Sequence, residues 1–313
     1  MIELILIIIG LIVFEVVSSI DNAVVNADVL ATMKSEKARK FFLFWGILFA
    51  VFVVRGLLPS LIVFFANPNI GVFGAFQAMW SSDPSVAAAI HASTPLILIA
   101  GGMFLILLSL HWLFVEDKEF GLPLERPILR FGAVWFYSVA ALLLIGVMMA
   151  LNNGAGEQAM PLALAAAIGF GAFFVTEGFK ENAAKMEERL IADGETSAMS
   201  DWAKVAFLEV LDLTFSIDGV VGAFAFTTIV PLILIGNGIG AIVLRQLTVH
   251  NIDRIRSYKY LKNGAMYSIG FLGSIMMLEA FGVHVPSWLS PVAAILIIGY
   301  FFNKSVMANR TRA

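Results

Sequence analysis

The stretch that decides the fold is Glu15-Val-Val-Ser-Ser-Ile-Asp21-Asn22-Ala-Val-Val-Asn26-Ala-Asp28, which places acids and amides inside an otherwise apolar segment. A second copy of its pattern follows at Asp212-Leu-Thr-Phe-Ser216-Ile-Asp218-Gly219-Val-Val. The leading acid, the serine and the aspartate of the first copy each recur 197 residues later. A repeated pattern of acids where hydrocarbon is expected indicates a functional site within a membrane.

The composition is that of a membrane protein. Of the 313 residues, 60% are hydrophobic and 14% are charged, and the mean hydropathy is +0.90. We therefore expect the lipid bilayer as its environment and no nucleic acid partner. Cysteine is absent, which excludes disulfides and thiolate metal sites and leaves oxygen and imidazole as metal ligands.

Apolar runs long enough to cross about 30 Å of hydrocarbon predict an all-α, polytopic fold with about nine transmembrane helices. The N-terminal run has no basic flank and no cleavage site, so we interpret it as a retained first span rather than a signal peptide. The predicted spans are 2–31, 42–66, 94–115, 131–151, 160–179, 203–225, 228–249, 263–283 and 288–303.

The basic residues predict the orientation. Of the 20 Lys and Arg residues, 18 lie in or at the borders of alternate connections, all on one predicted side, and Arg55 and Arg245 lie deep inside predicted spans. The positive-inside rule then places the N-terminus outside and the C-terminus in the cytoplasm of a multi-pass protein of the inner (plasma) membrane. The polar connection at about 180–203 is predicted to be a solvated cytoplasmic linker, partly helical at its start.

The two motif copies are predicted to cross the membrane in opposite directions, because four spans separate them. We therefore predict a single transporter domain over 1–313 with inverted repeats at about 1–115 and 203–283. In this arrangement the two copies meet near the middle of the bilayer as halves of one site, and the site opens alternately to each side.

Helical spacing divides the polar residues of the motif into two stripes. The first stripe contains Glu15, Ser19, Asn22 and Asn26, and the second contains Ser18, Asp21 and Asp28. In the second copy Asp212 and Ser216 keep the first stripe and Asp218 keeps the second. Either the stripes face different neighbours, or the helix unwinds near Ser-Ile-Asp so that backbone carbonyls join the carboxylates.

Buried acids need partners, and Arg55 and Arg245 are the predicted ones. Four acids and two arginines carry a net charge of −2, which suits one divalent cation. The carboxylate, amide and hydroxyl ligands favour hard ions such as Mg²⁺, Ca²⁺ or Mn²⁺. Glu177 is interpreted as interfacial, and the four histidines, including His111, show no metal-binding spacing.

The doubled motif resembles the signatures of the TerC family of integral membrane proteins, within the LysE-like transporter superfamily. The likeness covers both halves of the membrane core, and the chain resembles a longer, less characterised branch. The resemblance implies export of a divalent metal, most often manganese, with Glu15, Asp21, Asn22, Asp212 and Asp218 as ligands. Gly219 departs from the pattern, since the family usually has a polar residue there.

The sequence thus predicts a secondary transporter whose exported substrate is a divalent cation, with Mn²⁺ as the leading choice. It predicts neither a cofactor nor enzymatic activity. Supporting roles fall to Ser19, Asn26, Asp28, Ser216, Arg55 and Arg245. The alternatives are an exporter of a small organic cation and a non-transporting membrane partner in envelope or tellurite stress. An intramembrane aspartyl protease is the enzyme alternative, although a Gly-x-Gly-Asp signature is absent. The oligomeric state, including a homo-oligomer, is open.

Overall fold

The computed structural model describes residues 2–46, 49, 57, 64, 71–78, 84–193 and 199–310. Within these residues the chain is helical and contains no strand, as the sequence predicted. A π-helical turn at Phe42–Gly46 and a 3₁₀ turn at Gly156–Gln158 accompany the α-helices. The α-helices are α1 (Ile2–Ser18), α2 (Ile20–Ala31), α3 (Glu36–Phe41), α4 (Gly71–Ala78), α5 (Pro84–Phe114), α6 (Glu125–Leu129), α7 (Gly132–Gly154), α8 (Ala159–Asp193), α9 (Asp201–Ala223), α10 (Val230–Arg256), α11 (Leu261–Ala280) and α12 (Leu289–Arg310).

Five helical segments in the described part of the chain are long and apolar enough to cross a membrane, which makes a polytopic membrane protein the class of this fold. The bent pair α1–α2 makes a sixth if it forms one span. The predicted span at 42–66 lies almost entirely outside the described residues. The predicted spans at 203–225 and 263–283 correspond to helices α9 and α11, which are not among the candidate membrane spans in the described part of the chain. Nine spans and their sidedness therefore stay predictions. The candidate segments are Ser93–Phe114, Gly132–Gly154, Gly156–Ala192, Val230–Leu247 and Leu289–Arg310.

Helix α5 lies at the centre of the bundle. Its residues Ile99, Leu105 and Leu107 are completely buried although they point in different directions around the helix axis, so α5 has neighbours on several sides. A Cβ atom added at Gly102 would lie 2.9 Å from the carbonyl oxygen of Gly273, so α5 and α11 are in backbone contact. Small residues at such crossings let helices approach closely in a membrane.

Helices α1 and α2 run antiparallel to α9. Phe14 in α1 packs against Gly222 near the end of α9. Further along α2, Asn26 donates a hydrogen bond to Asp212. Just beyond the end of α2, Thr32 accepts two hydrogen bonds from the buried Lys204 ammonium, at 3.1 Å to its backbone oxygen and at 3.0 Å to Oγ1. The two copies of the motif therefore lie side by side in opposite directions.

The two motif helices differ in their backbone. The first copy is interrupted at Ser19, where α1 and α2 meet at an angle of 46°. The backbone hydrogen bonds from Ser19 N to Glu15 O and from Ala23 N to Ser19 O are kept, so the interruption is a bend and the chain does not unwind. The second copy lies within α9, which runs unbroken from Asp201 to Ala223.

Candidate ion-binding site

The amides of the first copy bind the leading acid of the second. Asn22 and Asn26, one helical turn apart on α2, donate their Nδ2 groups to Asp212 Oδ1 at 2.6 and 2.8 Å. The amide oxygens of both asparagines are buried and have no hydrogen-bond donor among the described residues. Two acceptor oxygens and one carboxylate therefore lie together between α2 and α9.

Glu15 is completely buried between α1, α9 and α10. Its Oε1 accepts a hydrogen bond from Ser19 Oγ at 2.8 Å, across one turn of the helix. A Cβ atom added at Gly219 would lie 3.2 Å from Glu15 Oε2, and one at Gly240 would lie 2.7 Å from Glu15 Cγ. The glycine that departs from the expected motif thus gives the glutamate side chain its space.

Asp21 has a lysine as its partner. Lys262, in the first turn of α11, places Nζ 3.0 Å from Asp21 Oδ2 and 2.7 Å from Glu116 Oε2. Burial alone would raise the pKa of Glu116, which follows the end of α5, but Lys262 and His111 more than offset this and hold that pKa below its ordinary value. Glu116 is therefore a carboxylate at neutral pH.

Asp218 also has a lysine as its partner, this time from α8. Lys180 Nζ forms an ion pair with Asp218 Oδ2, and it lies 5.5 Å from the centre of the Phe215 ring. The other carboxylate oxygen, Asp218 Oδ1, is buried and has no hydrogen-bond donor among the described residues. Both side chains of the pair are only 12% exposed.

His111 joins these two ion pairs. Its Nδ1 lies 3.5 Å from Glu177 Oε1 on α8 and 3.9 Å from Glu116 Oε1. The ligand atoms of the three residues all lie within 4.8 Å of one another, a grouping that could hold a metal ion. Edge-on contacts fix the imidazole ring, because the rings of Phe136 and Phe173 lie 5.1 and 5.8 Å from its centre.

Together these residues form one ionic chain in which acids alternate with bases. Its four carboxylates and two ammonium groups carry a net charge of −2 while His111 is neutral. Side-chain exposure falls from 45% at Asp21 to 12% at Asp218, so the Asp21 end of the ionic chain faces solvent and the Asp218 end is enclosed. In order, the ionic chain consists of Asp21, Lys262, Glu116, His111, Glu177, Lys180 and Asp218.

Several predicted site residues take other positions. The Ser216 hydroxyl donates a hydrogen bond at 2.6 Å to the backbone oxygen of Asp212 in the same helix, so this side chain binds the backbone. Asp28 is half-buried and close enough to Glu187 to be repelled by it. Arg245 is half-buried and forms no ion pair with the motif acids in the described part of the chain, and Arg55 lies outside the described residues.

The lysine partners and His111 were missed from the sequence. Lys180 and Lys262 were counted as loop charges because each lies at the end of a predicted span, but their long stems carry the ammonium groups inward. Glu177 was interpreted as interfacial, and its side chain is in fact 23% exposed within the ionic chain. The spacing of Glu177 and Lys180 on one helix face was the available signal.

This fold and site define a helical membrane protein with an ionic chain inside its bundle. The chain belongs to the family described as protein of unknown function (DUF475), which matches residues 20–312. It is also 30% identical over 118 residues to the uncharacterized membrane protein YceF of Bacillus subtilis (strain 168), a match that covers 36% of this chain and 46% of that protein. The chain therefore spans about half the length of that relative. No solved structure matches the chain.

The predicted membership of the TerC family is wrong, because the family that the comparisons show is DUF475. The resemblance rested on a few motif residues, and these are too short a pattern to separate one family of membrane proteins from another. The preference for manganese and the direction of export were implied by that resemblance alone. The chemistry of the buried oxygens does not depend on it.

Proposed function

We propose that the protein is a secondary transporter of a divalent cation. The observation that carries the proposal is that two antiparallel copies of one motif meet along α2 and α9 and present buried oxygens that have no hydrogen-bond donor within the described part of the chain. These oxygens are Asn22 Oδ1, Asn26 Oδ1 and Asp218 Oδ1. A buried acceptor without a donor is costly, and a cation is the ligand that satisfies such oxygens without supplying a hydrogen bond.

The charges support the same conclusion. Acids at membrane depth cost a few kcal/mol each unless they are paired, and they are kept where ions or protons pass. A tethered ammonium group can hold a carboxylate in place while no ion is present and give it up to a divalent ion. Lys262 and Lys180 occupy the positions for this exchange, because each contacts one motif aspartate.

The expected path runs along the ionic chain and past the first-copy amides. Glu15, Asp21, Asn22, Asp212 and Asp218 line it in this proposal. In this proposal the exposed Asp21 end faces the cytoplasm, which is the orientation that the positive-inside rule predicts. Mn²⁺ is the first ion to test, because it accepts carboxylate ligands and tolerates one imidazole.

The test uses the purified chain in proteoliposomes that contain a Mn²⁺-quenched dye. We expect faster quenching than in protein-free vesicles, and a fall of about tenfold or more in the initial rate for Asp21→Asn and for Asp218→Asn, equivalent to about 1.4 kcal/mol. Glu36→Gln is the control, because Glu36 forms an exposed surface pair with Lys40. No transport above protein-free vesicles with any divalent ion, or two aspartate variants as fast as the unchanged protein, would overturn the proposal.

A further inference from the structure

We propose that His111, Glu116 and Glu177 form a binding site for one divalent transition-metal cation of the Mn²⁺, Fe²⁺ or Zn²⁺ class. This deepens the proposed function, since it names ligands outside the repeated motif and a narrower class of ion. The binding itself does not require that the ion is transported, so the two proposals fail separately.

The geometry fits a metal ion. Bonds of about 2.1 Å separate two ligand atoms by about 3.0 Å at a right angle and by about 3.4 Å at the tetrahedral angle. The distances from His111 Nδ1 to Glu177 Oε1 and to Glu116 Oε1 are 3.5 and 3.9 Å. These separations are too long for hydrogen bonds and close to those that a shared ion requires. Small side-chain rotations would complete the coordination.

The donors are held in place before an ion binds. His111 and Glu177 lie on long helices, α5 and α8, that are in backbone contact at Gly169 and Ala100. The imidazole ring is enclosed by phenylalanine rings, and the second oxygen of Glu116 bonds Lys262 at 2.7 Å. Ligands fixed by surrounding contacts bind metal more tightly than mobile ones.

A second observation points to a ligand at this place. Asp218 is buried, with 8% of the whole residue exposed, and its Oδ1 atom has no hydrogen-bond donor among the described residues. Its carboxylate is close enough to Glu177 and Glu116 to be repelled by both. His111 Nδ1 is likewise buried, and no described residue forms a hydrogen bond with it. An ion between these groups would neutralise the repulsion among the three carboxylates.

The donor set decides the class of ion. Two carboxylates alone would suit Mg²⁺ or Ca²⁺, which prefer oxygen and more ligands. An imidazole nitrogen shifts the preference towards Mn²⁺, Fe²⁺ and Zn²⁺. The neutral imidazole and two carboxylates carry a charge of −2, which one divalent ion cancels.

The experiment measures Mn²⁺ binding to the purified full chain in nanodiscs by electron paramagnetic resonance. We expect one bound Mn²⁺ with an electron spin echo modulation from a ¹⁴N nucleus, and loss of that modulation in His111→Gln. Glu177→Gln should weaken binding at least about tenfold, as losing a ligand or its support typically does. Glu181→Gln is the matched control, because Glu181 lies one turn further along α8 in an exposed pair with Lys185.

The outcomes separate the two proposals. Absence of a nitrogen signal from Mn²⁺ bound to the unchanged protein, or Glu177→Gln and Glu181→Gln binding equally well, would overturn this site whatever the transport assay shows. A nitrogen-coordinated ion in a protein that moves no cation across vesicles would keep the site and refute the transporter. Because the nitrogen signal is read in the unchanged protein, the test does not depend on how well a variant folds.

Discussion

The contact between α5 and α8 gives a sharp prediction from two glycines two residues apart. A Cβ atom at Gly169 would overlap the carbonyl oxygen of Ala100 and lie 2.7 Å from its carbonyl carbon. A Cβ atom at Gly171 would meet nothing within 4 Å. The same substitution, Gly→Ala, is therefore made at a closed and at an open position of one helix.

The expected magnitudes follow from these distances. Both variants gain up to about 1 kcal/mol from the higher helix propensity of alanine. In Gly169→Ala the obstacle is backbone, which cannot rotate away, so the helices must separate by roughly 1 Å at a cost of about 1–3 kcal/mol or more. The propensity gain is common to both variants, so we expect Gly171→Ala to be slightly stabilised and Gly169→Ala to be about 1–3 kcal/mol less stable than Gly171→Ala.

Thermal unfolding of the two purified variants in one detergent measures the difference. At roughly 2 °C per kcal/mol for a chain of this size, the two Tm values should differ by about 2–6 °C. Separation of the helices should also draw His111 away from Glu177, so Gly169→Ala should bind Mn²⁺ more weakly. Equal Tm values for the two variants would refute the close approach of α5 and α8.

Three further predictions concern other buried polar groups. Glu125→Ala should lower the free energy of unfolding by about 3 kcal/mol, because the fully buried carboxylate accepts hydrogen bonds from a tyrosine hydroxyl at 2.8 Å and from two backbone N–H groups. A shift of the thermal unfolding temperature measures this loss. Asp212→Ala should cost about 2 kcal/mol in the same assay, since it leaves the Asn22 and Asn26 amides buried without their acceptor. Burial lowers the pKa of Lys118 to about 8, although the charge of Glu125 raises it in part. Between pH 8 and about 10.4 the unfolded chain therefore binds more protons than the folded chain. The free energy of unfolding should rise with pH across that window.

Each of these predictions has its control. Glu119→Gln changes a 57% exposed carboxylate in the same connection as Glu125 and should leave the Tm unchanged. Asp212→Asn keeps one acceptor oxygen and should cost less than the alanine variant, so an equal loss in both would count against the amide contacts. Lys118→Met should remove the rise of stability with pH, and a slope that persists in this variant would assign the effect to another group.

The sequence predicted the helices well where long apolar runs alternate with charged connections. The prediction at 131–151 became α7 at Gly132–Gly154, and that at 203–225 became α9 at Asp201–Ala223. Helical periodicity also separated Glu15 from Asp21, and the structure places them with different neighbours. Hydropathy and spacing are local properties, so they describe segments and the faces of segments.

The partners of the acids could not be predicted in the same way. The pairing of Asp218 with Lys180 depends on how α8 crosses α9 and on the length of a lysine stem, neither of which is visible in spacing along the chain. His111 and Glu177 lie far apart in sequence and meet only because α5 and α8 pack in parallel. Side chains that come together across helices leave no spacing along the sequence to find.

The bend at Ser19 has a consequence for movement. Helix α2 is only 12 residues long and carries Asp21, Asn22 and Asn26 together, whereas α9 passes the corresponding residues without interruption. If α2 pivots at Ser19, its contacts with Lys262 and with Asp212 must break and re-form together. The exchange of partners would then be a single cooperative event driven from one helix, with α9 stationary, and the two halves of the repeat would play unequal parts in it.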